Sequence, residues 1–134
     1  MKKLSEMFEK IIEQKKRKYH LSYDTIDTDR HFDNYAEARR YLLCVLTNVP
    51  NISLESCNNS SIILECNEND FYKLTQYLKV HLANYFYYSF SLVAKNKRFD
   101  DLIENNLNHE LNKNFKKELA DLTCECLNKN IVNY

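Results

Sequence analysis

The spacing of apolar and polar positions changes several times along the chain, and each change marks a boundary between predicted elements. Residues 3 to 17 carry apolar side chains at helical spacing, which predicts an amphipathic helix. From Tyr19 the spacing changes to two, which predicts a half-buried strand. Asn34 stands three residues before Glu37, as in a capping box, and predicts a second helix that residues 48–50 end. The chain therefore opens with a helix, a strand and a helix.

Residues 52–66 alternate in two short runs around a polar turn, which predicts a β-hairpin. A three-residue loop at positions 58–60 places Leu54 opposite Leu64 and Ile52 opposite Cys66. This register keeps both apolar sets on one face of the sheet, whereas a shift of one residue would split them. The sequence therefore predicts both the hairpin and its register.

The rest of the pattern predicts a third helix, a fourth strand and two C-terminal helices. The third helix starts near Phe71, after a cap at Asn69 or Asp70, and has His81 on its apolar side. Residues 86–92 alternate strictly and are the most strand-like stretch of the chain. Two helical patterns follow, the second running to Cys126, and asparagines between them favour a kink or a short loop.

The order of the central elements is strand, helix, strand, strand, helix, strand, and a single domain fits the 134 residues. We therefore predict an α+β fold with a ferredoxin-like βαββαβ core over residues 18–95. One additional N-terminal helix (1–17) and two additional C-terminal helices (96–134) complete it. This topology puts the first and third strands in the middle of the sheet and the fourth strand at an edge. The two core helices cover one face, and the terminal helices cover the other face only in part.

Composition and charge exclude several function classes. The chain has no glycine, so it lacks the phosphate-binding loops of Walker and dinucleotide-binding proteins. Nineteen basic residues balance nineteen acidic ones, which disfavours both a general nucleic-acid binder and a mimic of DNA charge. No run approaches the roughly 20 apolar residues that span a bilayer. We expect a cytoplasmic protein that does not enter a membrane.

The five cysteines lack the repeated close spacing of a zinc site or a disulfide scaffold. On a predicted helix, Cys126 points inward and Cys124 points outward. We therefore expect reduced thiols, with Cys126 packed in the core and Cys124 incidental.

The segment after the first strand is the densest polar cluster. Asp27, Asp29 and His31 resemble the first positions of a calcium loop, but Phe32 stands where that loop needs glycine and Ala38 where it needs an acidic residue. No histidine has a recognisable nucleophile or orienting carboxylate at a known spacing. We expect no metal, no cofactor and no catalytic residue; a metal-dependent enzyme that uses Asp27, Asp29 and His31 is the least favoured alternative.

Protein recognition demands least of this composition, because ten tyrosines exceed what a core of this size absorbs. Exposed tyrosines and the carboxylates before the second helix are the predicted contacts with a partner protein. These residues are Asp27, Asp29, Asp33, Glu37, Tyr35, Tyr72, Tyr77 and Tyr87.

A nucleic-acid-binding regulator is the alternative function. It would use a basic patch formed by the end of the first helix and the end of the fourth strand, with salt-sensitive binding. The residues of this patch are Lys15, Lys16, Arg17, Lys18, Lys95, Lys97 and Arg98.

Residues 27–42 contain the pattern F-x-x-Y-x-E-A-x-x-Y, formed by Phe32, Tyr35, Glu37, Ala38 and Tyr41. This segment resembles one found in small phage and mobile-element proteins of low-GC Gram-positive bacteria, some of which are anti-CRISPR proteins. The resemblance implies a non-enzymatic inhibitor that binds a host protein, such as a CRISPR-associated nuclease, in the host cytoplasm. It carries over no catalytic residue and leaves the oligomeric state open. Zero net charge differs from the acidic DNA-mimicking members, which leaves the local acidic patch between Asp24 and Glu37 as the contact.

Overall fold

Four antiparallel strands form one sheet in the part of the chain that the computed structural model describes, which is residues 16–67, 71–93, 109–125, 127 and 129–134. The elements are β1 (Lys16–Thr25), α1 (Thr28–His31), α2 (Tyr35–Thr47), β2 (Ser53–Asn58), β3 (Ser61–Asn67), α3 (Phe71–Leu82), β4 (Phe86–Leu92) and α4 (His109–Ala120). The fold is α+β. None of these helices is long and apolar enough to cross a membrane.

The strand order is β2-β3-β1-β4, and each neighbouring pair is antiparallel. β1 and β3 are therefore the central strands and β4 is an edge strand, as predicted from the sequence. Alternate residues of the central strands, Tyr19, Leu21 and Tyr23 in β1 and Ile62 and Leu64 in β3, are almost fully buried. The alternation of period two thus directs one face of the sheet into the core.

The hairpin has the predicted register but a different turn. Leu54 pairs with Leu64, which confirms the prediction. Asn58 pairs with Ser61, so the loop has two residues where three were predicted, and a β-bulge lies between Ser56 and Asn58. The bulge takes up the third residue and keeps the apolar side chains on one face.

Helix α2 begins at the predicted cap. The Asn34 side chain accepts a hydrogen bond from the Glu37 backbone N–H at 2.9 Å. The Glu37 carboxylate instead binds Arg40 at 2.8 Å. Asn34 and Glu37 therefore form the half of a capping box in which the cap side chain accepts from the backbone. The helix ends at Thr47, as the sequence predicted from the residues that follow.

Two turns place residues other than glycine in the left-handed region. Asp27, before the short helix α1, has φ 42°, and Asn51, before β2, has φ 59°. The short side chains of aspartate and asparagine tolerate this conformation better than most residues. Helix α1 occupies four residues of a segment that the sequence predicted only as a polar turn.

The core lies between the sheet and the helices α2 and α3. Helix α2 contributes seven buried residues and α3 contributes five. Phe115 of α4 joins the same cluster, and Leu127, Ile131 and Tyr134 of the C-terminal segment pack against it. The C-terminal chain is therefore part of the folded unit.

The terminal elements differ from the prediction. Lys16 and Arg17 belong to β1, where they pair with Asn67 and Cys66 of β3, so a helix extending to residue 17 is wrong. The rest of that predicted helix, residues 1–15, lies outside the described residues, as do the predicted cap at 69–70 and residues 96–108. Helix α4 ends at Ala120, so the last helix does not reach Cys126 as predicted.

A disulfide joins Cys44 of α2 to Cys124, with 5.6 Å between their Cα atoms, so the expectation of reduced thiols is wrong for these two cysteines. Cys66 is a free, buried thiol. Cys44 is buried in α2, and the chain after α4 brings Cys124 to it. Arg40 holds the same segment through a hydrogen bond of 2.6 Å from its Nη1 to the Thr123 carbonyl. Both contacts lie in residues 121–125, which are not helical, so the predicted helical pattern is not followed there.

Candidate protein-binding surface

Four exposed carboxylates gather where β1 ends, and we call this region the acidic end of the sheet. Asp24 is the second-last residue of β1, while Asp27, Asp29 and Asp33 lie in the connection to α2. No ion pair within the described residues engages these four side chains. Their exposure suits contact with a cationic partner.

Two exposed tyrosines lie at the same end of the sheet as these carboxylates. Tyr87 pairs with Asp24 across the β1–β4 ladder, and its side chain is 66% exposed. Tyr35 is the first residue of α2 and is 46% exposed. It lines a depression together with Arg39 of α2 and Asn59 of the hairpin turn. Asp27, Asp29, Asp33, Tyr35 and Tyr87, predicted separately from the sequence, thus lie at the same end of the sheet.

A partly buried polar network centred on Arg39 adjoins this end of the sheet. Nη1 of Arg39 donates to the Tyr23 hydroxyl at 2.6 Å and to the Asn59 carbonyl at 3.1 Å. Nε of the same guanidinium binds the Glu118 carboxylate of α4 at 2.8 Å. Burial raises the pKa of Tyr23 to about 12, although the Arg39 charge acts in the opposite direction. Tyr23 is therefore a neutral hydrogen-bonding group that ties β1 to the hairpin turn and to α2.

An open depression of about 410 Å³ lies beside the acidic end. Asp29 and Asp33 line it together with Glu37, Arg40 and Lys129. Glu37 is already paired with Arg40, so it is less available to a partner than the sequence predicted. The depression combines charges of both signs, which suits a polar protein surface better than a single small ion.

Aromatic rings hold the C-terminal chain at the wall of this depression. The ammonium group of Lys129 lies 5.2 Å from the ring centroid of Phe32 and 4.5 Å from that of Tyr85. His31 packs edge-on against Tyr85 at 5.1 Å. These cation–π and aromatic contacts hold Lys129 and His31 in place at the side of the depression.

Two other predicted tyrosines are not part of this surface. Tyr77 was predicted to be exposed, and this is wrong, because its hydroxyl donates to the Val45 carbonyl at 2.8 Å and its ring packs against Tyr134. Tyr72 is 77% exposed, as predicted. It lies at the opposite end of the sheet, because neighbouring Phe71 stacks on Tyr19 near the start of β1.

No protein-family model, curated protein or solved structure matches this chain. The function is therefore argued from its own residues.

The three described residues of the predicted basic patch lie away from the acidic end. Lys16, Arg17 and Lys18 lie at the start of β1, and Lys18 is 3.9 Å from the Glu65 carboxylate. Val93 donates to the Lys18 carbonyl at 2.9 Å, so the end of β4 adjoins this segment. Lys15, Lys95, Lys97 and Arg98 lie outside the described residues.

Metal-ligating side chains do not converge in the described part of the chain, where no group of three His, Cys, Asp or Glu residues is placed to hold an ion. His81 lies in the core of the helical layer, and burial lowers its pKa. Asp27, Asp29 and His31 therefore form no such group in the structure.

Sequence reasoning missed Arg39, which organises the acidic end. Its partners come from three distant elements, and Glu118 is 79 positions away in the sequence. The one local signal is that Arg39 follows Tyr35 by four residues, which puts both on one side of α2.

Proposed function

We propose that the protein is a non-enzymatic protein-binding module and that the acidic end of the sheet is its contact surface. The observation that carries this proposal is that exposed Tyr35 and Tyr87 lie at the same end of the sheet as four exposed carboxylates. Tyrosine supplies a large contact area and a polar tip with few torsions to restrict, and it is enriched among the residues that dominate binding energy. The carboxylates add charge complementarity and select a basic partner.

The proposed partner is a host defence nuclease of the CRISPR-associated kind, which this protein would inhibit stoichiometrically in the host cytoplasm. Surfaces that hold nucleic acid are rich in lysine and arginine, so they complement a row of carboxylates. The segment that resembles anti-CRISPR proteins, residues 27–42, supplies Asp27, Asp29, Asp33 and Tyr35 of this surface. The resemblance and the geometry thus support the same region.

We also infer that the sheet and its two long helices form a ferredoxin-like core. The strand order β2-β3-β1-β4 supports this inference, together with the position of α2 between β1 and β2 and of α3 between β3 and β4. In this arrangement the β1–α2 connection and the β2–β3 hairpin meet at one end of the sheet, where the proposed contact surface lies.

Cleavage by a purified CRISPR-associated nuclease tests the proposal. We expect a molar excess of this protein to reduce cleavage. Replacing Tyr35 and Tyr87 together by serine should weaken inhibition by about tenfold or more, since truncation of a tyrosine that dominates binding energy costs about 2 kcal/mol. Tyr72→Ser is the control, because Tyr72 is even more exposed than Tyr35 and Tyr87 but lies at the other end of the sheet.

Three outcomes bear directly on the proposal. Unchanged cleavage in the presence of excess protein rejects the nuclease as the partner. Equal loss of inhibition in the Tyr72→Ser control rejects the acidic end as the contact surface. Binding to free nucleic acid that weakens steeply with added salt would favour the basic patch, because counterion release dominates such binding.

A further inference from the structure

The two edges of the sheet are built differently. β2 carries Glu55, contains the bulge between Ser56 and Asn58, and packs against α4. β4 runs from Phe86 to Leu92 without a charged residue or proline, and its register with β1 is uninterrupted. Within the described residues, β4 pairs with β1 alone. Bulges, charges and covering helices are the devices that protect an edge strand from pairing with another chain, and β4 lacks all three there.

The backbone groups on the free edge of β4 follow from its hydrogen bonds with β1. Val93 donates to the Lys18 carbonyl and Ile26 donates to the Tyr85 carbonyl, both within the uninterrupted register. Hydrogen bonding alternates along an antiparallel ladder, so the odd-numbered residues of β4 bond to β1. The N–H and C=O groups of the even-numbered residues, Phe86, Tyr88, Phe90 and Leu92, therefore point to the free edge.

The side chains of β4 are accessible as well. Ser89 and Ser91 are exposed, Leu92 is 47% exposed and Tyr87 is 66% exposed. Tyr88 and Phe90 are half-buried on the opposite face. The strand thus presents both its backbone edge and parts of both faces.

We propose that β4 is a dimerisation edge, which pairs antiparallel with β4 of a second copy of this chain about a two-fold axis at Ser89. In this register Phe86 lies opposite Leu92 of the second copy, and Tyr88 lies opposite Phe90. Both are pairs of even-numbered residues, so each exchanges two backbone hydrogen bonds. The two sheets join into one continuous sheet.

The sequence of the strand is what favours a second copy as the occupant. In a two-fold dimer, a surface patch of one copy contacts the same patch of the other copy, so the patch must be complementary to itself. With the axis at Ser89, aromatic and aliphatic side chains meet on one face, while Tyr87 meets Ser91 on the other. No charge meets a like charge, because residues 86–92 carry none.

The position of the axis follows from length and alternation. A register that places an even-numbered residue opposite an odd-numbered one would mismatch the hydrogen-bonding groups and exchange the two faces. Among the matched registers, the axis at Ser89 uses the whole strand, since Ser89 is its midpoint.

Sedimentation velocity over a range of concentrations tests the dimer. We expect wild-type protein to shift from the mass of one chain, 16.1 kDa, towards twice that mass as concentration rises. Ser89→Lys places two lysines opposite each other at the axis, about 4.5 Å apart between Cα atoms. Like charges directly opposite are destabilising, so the dissociation constant should rise roughly fivefold or more. Ser91→Lys is the matched control, because residue 91 faces Tyr87 and not its own copy.

A mixture of two variants tests the register itself. Ser89→Lys and Ser89→Glu are each expected to dimerise poorly alone, while an equimolar mixture should form a heterodimer through the opposed charges. Restored dimerisation in the mixture supports the axis at Ser89. A wild-type protein that is monomeric at every concentration overturns the proposal, as do equal effects of the Ser89→Lys and Ser91→Lys variants or a mixture that stays monomeric.

Discussion

Helices α2 and α3 lie in the same layer over the same sheet and have nearly the same length, yet they are buried to different extents. In α2, every residue from Tyr41 to Leu46 is buried. In α3, the buried residues recur at helical spacing, and Phe71, Tyr72 and Val80 are exposed. One helix is therefore covered on nearly all sides, whereas the other is a typical amphipathic surface helix.

The difference comes from the C-terminal chain. It crosses α2 with the Cys44–Cys124 disulfide, and Asn48 donates to the Val132 carbonyl at 2.9 Å. At α3 the described contacts are fewer: Tyr134 packs against Tyr77 at 5.1 Å between ring centroids, and the Lys73 ammonium lies over the Tyr134 ring. A segment without regular structure thus forms a further layer over one helix and converts its outer residues into core.

The largest expected difference between the two helices is in side-chain truncation. Leu43 of α2 is fully buried, so Leu43→Ala should lower the free energy of unfolding by about 2–5 kcal/mol. Val80 of α3 is exposed, so Val80→Ala should change it by less than about 0.5 kcal/mol. Urea denaturation of the two variants measures both values. Equal losses would contradict the proposed difference in cover.

Removal of the disulfide should have the next largest effect. Cys124→Ser releases the C-terminal chain from α2 and should cost about 2–4 kcal/mol, since a cross-link of 80 positions constrains the unfolded chain strongly. A reducing agent should lower the Tm of the wild-type protein and leave that of the variant unchanged. Thr123→Ala is the control, because Arg40 contacts only the backbone carbonyl of Thr123. A variant as stable as wild type would show that the disulfide does not secure this layer.

The smallest expected effect is on the pH dependence of stability, and it comes from His81 of α3. Burial lowers the pKa of His81 below its usual 6.5, so the folded state holds the imidazole neutral. The stabilisation associated with this group is therefore present above pH 6.5 and is lost as the pH falls through the lowered pKa. We expect wild-type stability to fall more between pH 7 and pH 5 than that of His81→Gln, as measured by urea denaturation at each pH. Parallel pH profiles would show that His81 stays uncharged in both states or is solvated when folded.

The sheet was predictable because its signals are local. Alternation in residues 52–66 set the face of each strand, and the Asn34 cap marked the start of α2 within one residue. The predicted length of the hairpin loop was one residue too long. A two-residue loop with a bulge and a three-residue loop without one give the same pairing of Leu54 with Leu64. Local pattern determines which side chains face the core more firmly than how the chain turns.

The covering of the helices was not predictable in the same way. The pairing of Cys44 with Cys124 depends on where the chain runs after α4, and no spacing rule connects two cysteines that are 80 positions apart. The burial of Tyr77 was not predictable for the same reason, since its neighbour Tyr134 comes from the far end of the chain. At the acidic end, exposed Asp and Tyr residues could be predicted from the sequence, but the adjoining Arg39 network could not.

The left-handed turns at Asp27 and Asn51 have a consequence for a chain that contains no glycine. Glycine at either position would relieve the steric penalty of the turn, and it would also enlarge the range of backbone shapes open to the denatured ensemble. The two effects oppose each other. A glycine-free sequence can therefore make such corners at little net thermodynamic disadvantage, provided that aspartate or asparagine occupies them.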